Sequence, residues 1–369
     1  MIKFIKRCKK VIKALREHLS DVDGKTYYLE ERRKSKWSIY FDNIMWIIRY
    51  HEINHHYFLY GFDRKNGVDF DDYIRYQPFF NFRNKANATV KVGGRKSDYL
   101  CISADKFLFG QYLKSLDFPT PRLLAVLDNK SITWLEPCTT MSFDSLLQKG
   151  NLDCFIKKLV GGHGEGVYPL RVQDGKIILN DEEITLSQLK EKIKERYIIE
   201  ERVYQHSWVN AIYPHSVNTV RIVTAASNNG VVLLSAAMRI GARGNKCDNW
   251  SAGGLAIGVN LETGKLKKYG FLRPDFGRKV EKHPNTGFVF ENFQIPYFFE
   301  AVSLAKELHN YFYGLHSIGW DVAITADGPV FIESNDAWGL RMIQVNDNEI
   351  KKKFLASLPF EVDRKKFKL

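Results

Sequence analysis

The chain has 369 residues, 44% of them hydrophobic and 14% aromatic, which supplies apolar surface for two or three folded units and argues against wholesale disorder. No apolar run is long enough to span a bilayer, and the basic start lacks the apolar core and small-residue cleavage site of a secretory signal. The formal charge of +13 favours anionic partners, and much of it sits at the two ends.

Ile5, Cys8, Ile12, Leu15 and Leu19 recur at alternating three- and four-residue steps, which predicts an amphipathic helix over residues 2–19 with a basic outer face. Two readings stand: a helix packed on its own domain through that stripe, or one lying on an anionic membrane. Residues 25–85 are dense in aromatic and charged side chains, and Trp46–Tyr50 continue a helical pattern. His51, His55 and His56 have no carboxylate or cysteine at ligand spacing and read as core or surface histidines. A helix over 105–115 follows, capped by Ser103 or Asp105 and stopped before Pro119 and Pro121. Strands are predicted at 123–127, 131–135 and 153–159, then a helix with alternating charge at 186–197 and a strand from 198. Further strands fall at 220–225, 231–238 and 255–259. A long helix over 298–316 leads to strands 319–324 and 329–333, joined by the turn Ala326-Asp327-Gly328. Cys8, Cys101, Cys138, Cys154 and Cys247 show neither CxxC nor zinc spacing, so scattered reduced thiols in a cytosolic protein are expected.

Four constellations could carry chemistry. In the first, a strand delivers Lys157 into a loop holding Gly161, Gly162, Gly164 and Gly166. Glycine lets backbone N–H groups close on phosphate oxygens, and lysine adds a point charge. The spacing is neither that of a P-loop nor a Rossmann turn, and taken alone a flexible hairpin loop explains it equally. In the second, two neighbouring strands point Asp321 and Glu333 the same way, with Asn335 on the face of Glu333 by period-two spacing. Acids on apolar strands need compensation, either a divalent metal such as Mg²⁺ or an ion pair with Arg239 or Arg341. In the third, Arg221 closes Ser216-Val217-Asn218-Thr219-Val220-Arg221 and suits carboxylate or phosphate. The fourth, Arg239 with Asp248-Asn249 and Gly253-Gly254, reads as a substrate-facing rim.

Taken in order, these pieces resemble the ATP-grasp superfamily over residues 103–340, above all its sugar-transfer-associated group, which includes teichuronopeptide-biosynthesis-like members. The resemblance is carried by Asp105-Lys106, Lys157 with its glycine loop, Ile198-Ile199-Glu200-Glu201, Gln205-His206, Ser216 to Arg221, Asp248-Asn249 with Gly253-Gly254, Gly319-Trp320-Asp321 and Glu333-Ser334-Asn335. Two departures are visible: the family's lysine–proline is Lys157-Lys158 here, and Gln205, His206 and Ser207 stand where an acidic ribose contact is usual.

The resemblance implies an α+β ATP-grasp fold, two α+β lobes sandwiching ATP, behind a helical, aromatic-rich N-terminal region. Its divisions are 1–102 for that region, 103–199 for the small lobe with the glycine loop, 200–345 for the large lobe with the metal site, and 346–369 for a basic tail. It implies ATP and Mg²⁺ as cofactors, with Lys106 and Lys157 on the phosphates and Gly161, Gly162, Gly164 and Gly166 closing over them. Glu200 and Glu201 would meet adenine and ribose at the hinge. Asp321, Glu333 and Asn335 would hold Mg²⁺, and Arg221, Arg239 and Asn249 would face the acceptor or the transferred phosphoryl group. The family's usual chemistry is ligation of a carboxylate to an amine through an acyl phosphate. Here it is expected on a cell-surface polysaccharide or its precursor, beside polysaccharide-biosynthesis enzymes and without nucleic acid, in the cytoplasm, with contact to the inner face of the membrane through residues 2–19 as an option. A kinase acting on a sugar or other hydroxyl, and a non-catalytic nucleotide-binding partner of a glycosyltransferase, are the alternatives.

Overall fold

The computed structural model describes residues 22–87, 91–92, 95–96, 99–161 and 166–362, with isolated positions 13, 17, 19 and 20 ahead of them. Most of the amphipathic stretch 2–19, together with Gly162 and Gly164, lies outside the described residues.

After a short antiparallel pair, β1 (Lys91–Val92) and β2 (Arg95–Lys96), two larger sheets dominate. The first contains β3 (Leu123–Leu127), β4 (Ser131–Leu135), β5 (Cys138–Ser142), β6 (Leu152–Lys158), β7 (Val167–Gln173), β8 (Lys176–Leu179), β9 (Glu182–Ile184) and β10 (Tyr197–Glu201), in the order β5-β4-β3-β10-β6-β7-β8-β9. Alternation along β6 decides what faces where. Cys154 and Ile156 point into a core with Trp134, Leu146, Leu170 and Leu189, so Phe155 and Lys157 stand on the opposite face.

The second sheet contains β11 (Thr219–Ser227), β12 (Gly230–Ile240), β13 (Leu255–Val259), β14 (Leu266–Phe271), β15 (Lys279–Val280), β16 (Ser317–Thr325) and β17 (Gly328–Asn335), in the order β15-β14-β13-β12-β11-β16-β17. Val220, Ile222, Trp320, Val322 and Ile324 bury one face against the helix Phe298–His309. The Trp320 indole is anchored there, donating to Thr224 Oγ1 at 2.8 Å. On the other face Val223, Ala225 and Ala237 pack under Phe79, Phe82, Trp338 and the helices Leu340–Asn346 and Ile350–Ser357. That second apolar layer takes in Val223 and Ala225 of β11 but neither Thr219 nor Arg221 of the same face, and it leaves the ends of β12, β16 and β17 polar.

The aromatic N-terminal region folds onto the second lobe. Its helix Lys36–Tyr50, capped by the Ser35 hydroxyl, turns Ile39, Trp46 and Tyr50 toward Tyr57, Phe62, Phe271 and Val345. His51 ends that helix in the left-handed region and is exposed, as is His55, so these are surface histidines. Cys101, Cys138, Cys154 and Cys247 are unbridged.

Several boundaries differ from the sequence reading for local reasons. Asp105, not Ser103, caps the helix Lys106–Ser115, accepting from the N–H groups of Phe107 and Leu108 at 2.9 Å. Phe109 and Leu113 of that helix lie in the core of the second sheet, so it runs between the lobes and does not belong to the first alone. The helix read over 186–197 is Leu186–Lys192, because Tyr197 is buried as the first residue of β10. The helix read over 298–316 stops at His309, short of Gly314, whose φ of 84° is left-handed. The basic tail read from 346 is no tail through 357: Ile350 and Phe354 are buried, and Lys351 Nζ donates to the Asp71 carbonyl.

Gly319 is the tightest point of this packing. A Cβ there would meet Trp338 Cβ at 2.5 Å and Arg221 Cδ at 2.9 Å. Trp338 is fully buried with its indole N–H on Ser317 Oγ at 3.0 Å, so neither neighbour can give way cheaply. Gly319→Ala is expected to cost about 1–3 kcal/mol, read as a lower midpoint in chemical denaturation.

Candidate functional site

The polar end of the second sheet faces the outer face of the first across a cleft of about 900 Å³. Phe155, Val167, Val203 and Ile332 supply an apolar slot, and Lys106, Lys157, Arg239, Asp321 and Glu333 a charged end. A glycine-loop residue, Gly161, also lines the cleft, and its carbonyl accepts from Lys106 Nζ at 3.0 Å. Lys158 N–H donates to the Gly166 carbonyl at 2.9 Å and so closes the base of the hairpin. Lys157 is the lysine that faces the cleft; Lys158 turns to Glu195 at 2.8 Å.

The charged end is a row of cross-strand partners. Arg221 lies opposite Asp321, and Asp321 opposite Glu333, so β11, β16 and β17 place one charge each on one face. A bulge helps to aim the last of them. Asp321 pairs with Glu333 but Val322 pairs with Phe331, leaving Ile332 as the extra residue. Both Ile332 and Glu333 can therefore reach the cleft although they are adjacent. Asn335 shares the Glu333 face as period two predicts, its amide donating to Glu333 Oε1 at 3.3 Å.

Asp321 is buried between two guanidiniums. Arg221 approaches with Nε and with Nη2, the latter at 2.9 Å from Oδ2, and Arg239 Nη1 reaches the same oxygen. Arg239 Nη2 also holds Asp248 Oδ1 at 2.8 Å, while Asp248 accepts from Thr219 through both its backbone N–H and its hydroxyl. Of the two ion-pair partners weighed for the acids, Arg239 takes that part. Arg341 does not, and lies over the Tyr76 ring instead. Arg221, expected to face an acceptor, points at Asp321 and does not line the cleft.

The two acids consequently differ. Burial pushes the Asp321 carboxyl up, but Arg221 and Arg239 more than offset it and hold it far below the usual carboxylate range. Burial, and then the Asp321 charge, push Glu333 above the usual glutamate value, with Lys106 and Arg239 only partly opposing. Among the described residues no lysine or arginine makes an ion pair with Glu333. Burial also lowers the Lys106 ammonium, against the pull of Glu333.

Among the described residues no group of three or more His, Cys, Asp or Glu is placed to hold a metal ion. The donor set that fits a hard divalent cation is smaller: the uncompensated Glu333 carboxylate and the side-chain oxygen of Asn335. Asp321, read with them as a ligand, also lines the cleft, with its oxygens engaged by Arg221 and Arg239. At the hinge, Glu200 is buried and ion-paired to Lys157, whereas Glu201 lines the cleft and pairs with Arg122 at 3.2 Å. Asn249 lines the rim, its side-chain oxygen capping a turn through Ser251 N–H at 3.0 Å. The sequence reading gave no role to Phe155 or Ile332, and it noted Thr219 only within the run that ends at Arg221 and Asp248 only as part of the rim. Phe155 was accessible, since it stands two residues before Lys157 on one strand; the bulge at Ile332 leaves no mark in the sequence.

The sugar-transfer associated ATP-grasp family model matches residues 94–357. No curated protein matches the sequence. Among solved structures, the chain is similar to an N5-carboxyaminoimidazole synthase from Aspergillus clavatus at 11% identity and a TM-score of 0.39, over 64% of this chain and 45% of that one. It is similar to a D-alanine–D-alanine ligase from Bacillus anthracis at 13% identity and a TM-score of 0.37, over 70% and 68%. The chain thus spans about half the length of the N5-carboxyaminoimidazole synthases it matches, between 45% and 52%.

The opposite environments of the two acids predict opposite variants. Asp321 contributes stability above the usual carboxylate range that is lost as pH falls. Glu333 has a raised value, so its ionisation costs stability as pH rises through the usual glutamate range. Asp321→Asn leaves the buried Arg221 without its carboxylate and Arg239 with Asp248 alone, and is expected to cost about 3–5 kcal/mol. Glu333→Gln is expected to raise the thermal midpoint of the ligand-free protein at neutral pH, with the gain shrinking toward pH 4. Melting curves across pH measure both.

Proposed function

Because the chain belongs to the sugar-transfer-associated ATP-grasp family, we propose that its cleft binds ATP and that it joins a carboxylate to an amine on a cell-surface polysaccharide or its precursor. The observation that carries this reading is the convergence of Lys106, Lys157 and Glu333 from separate segments on one cleft that also holds the apolar side chains of Phe155, Val167, Val203 and Ile332. The base stacks among Phe155, Val167, Val203 and Ile332, with Glu201 at the hinge. Lys106 and Lys157 meet the phosphates, next to Gly161. Glu333 and Asn335 would hold Mg²⁺, which would supply charge neutralisation on the γ-phosphoryl group.

A second cavity of about 760 Å³ supports a two-substrate reaction. It is lined by Ser103, Phe109, Val160 and Asn335, and it shares Lys106, Gly161 and Glu333 with the first. An acceptor carboxylate entering there meets the phosphoryl group at the shared wall. Its oxygen attacks phosphorus, the bond to ADP breaks, and an acyl phosphate forms. The amine nitrogen then attacks the acyl carbon, phosphate leaves, and the amine proton passes to solvent. Lys106, its affinity for a proton lowered by burial, sits at that wall and balances charge as it builds.

The test is ADP release with mass spectrometry of products, using uronic-acid glycans and amino acids. Ligation requires carboxylate and amine together, and moves an ¹⁸O label from the carboxylate to phosphate. Phosphorylation with a hydroxyl acceptor alone replaces this reading with a kinase. Lys106→Ala and Lys157→Ala are each expected to lower kcat/KM by about 10²-fold or more.

A further inference from the structure

We propose that the outer face of the helix Lys36–Tyr50 docks the protein on an anionic lipid surface. This inference is independent of the ATP reading. The inner face of the helix is already filled by Ile39, Asn43, Trp46 and Tyr50. Yet Trp37, Tyr40, Phe41, Ile44, Met45 and Ile48 are exposed, with Trp37 at 84%, Phe41 at 63% and Ile48 at 60%. Trp37, Phe41, Ile44 and Ile48 follow one another at four, three and four residues, so they form one stripe along the helix. Four large apolar side chains in one stripe, with Tyr40 and Met45 also exposed on the same helix, are far from the scattered single exposures of an ordinary surface.

Charge says what covers the stripe. Between Lys36 at its start and Arg49 at its end, the helix carries one charged residue, Asp42, and that acid turns away to Lys34 Nζ at 2.7 Å and the Tyr57 hydroxyl at 2.6 Å. The stripe therefore presents no negative charge. The first fifty residues hold thirteen lysines and arginines against six acids, seven of the thirteen excess charges of the whole chain. Leu19 and Val22 pack in the same cluster as Ile39, Trp46 and Tyr50, so the basic run ahead of them leads out of this same unit. An apolar, aromatic face on the segment of the sequence that carries this basic excess matches a bilayer with anionic headgroups, where tryptophan and tyrosine favour the interface. A second copy of the chain would set the same excess charge against itself. The helix has 15 residues, and no described helix is long and apolar enough to cross a membrane, so the contact lies along the surface.

The test is co-sedimentation of the full-length protein with vesicles of phosphatidylcholine alone or mixed with phosphatidylglycerol, at low and raised salt. The wild type should bind the mixed vesicles, bind neutral ones far less, and weaken with salt. Trp37→Glu/Phe41→Glu should weaken binding by about ten-fold or more with an unchanged thermal midpoint. Phe41→Ser/Ile48→Ser provides the same reading should the first pair misfold. Absence of wild-type binding, equal binding to neutral vesicles, or binding undiminished in either folded pair overturns the proposal. So does a lipid-free dimer in sedimentation velocity that these substitutions convert to monomer, which would assign the face to a second copy.

Discussion

The buried carboxylate of Asp321 is the point on which the cleft depends. Two guanidiniums from neighbouring strands, those of Arg221 and Arg239, converge on it, and a third strand brings Glu333 up beside it. A buried charge of either sign is costly alone, so each member of the row needs the others in place. Arg239 carries the constraint onward to Asp248, and Asp248 carries it to Thr219, so the start of β11 and the loop after β12 are tied to the same centre. The result is a rigid polar floor at the end of an otherwise apolar sheet.

That floor leaves an imbalance. Both guanidiniums are directed at Asp321 and Asp248, and none reaches Glu333. On the proposed reading this is useful: a carboxylate raised by burial and by its neighbour's charge gains most from an arriving cation, and gains nothing until one arrives. Lys157 is held ready in a comparable way, its ammonium paired to the buried Glu200 on the adjacent strand. The first sheet thus supplies a poised cation and the second a poised anion, on opposite walls of one cleft.

Much of this was legible in the sequence because period two is a strong constraint. The alternation that put Glu333 and Asn335 on one face survives in the structure, and the same alternation sets Lys157 apart from the core residue Ile156. The two-lobed α+β order was legible through the ordered motifs that carry the family resemblance. What was not legible depends on contacts distant in the chain. Asp321 read as a metal ligand first and as an ion-pair partner second. Only the register of β11 against β16 shows Arg221 opposite it. The early ends of the helices at Lys192 and His309 reflect tertiary demands on Tyr197 and the turn at Gly314, which local charge and apolar patterns do not report. The unpartnered face of the helix Lys36–Tyr50 is likewise a property of what packs around it, since its sequence is apolar on both sides.

Manganese binding followed by electron paramagnetic resonance, with and without a non-hydrolysable ATP analogue, tests the division of labour between the two acids most directly. The wild type should bind Mn²⁺ tightly only when the nucleotide analogue is present, and Glu333→Gln should abolish that binding while still folding. Mn²⁺ affinity that is unchanged in Glu333→Gln, or that is the same with and without nucleotide, would contradict the site as described.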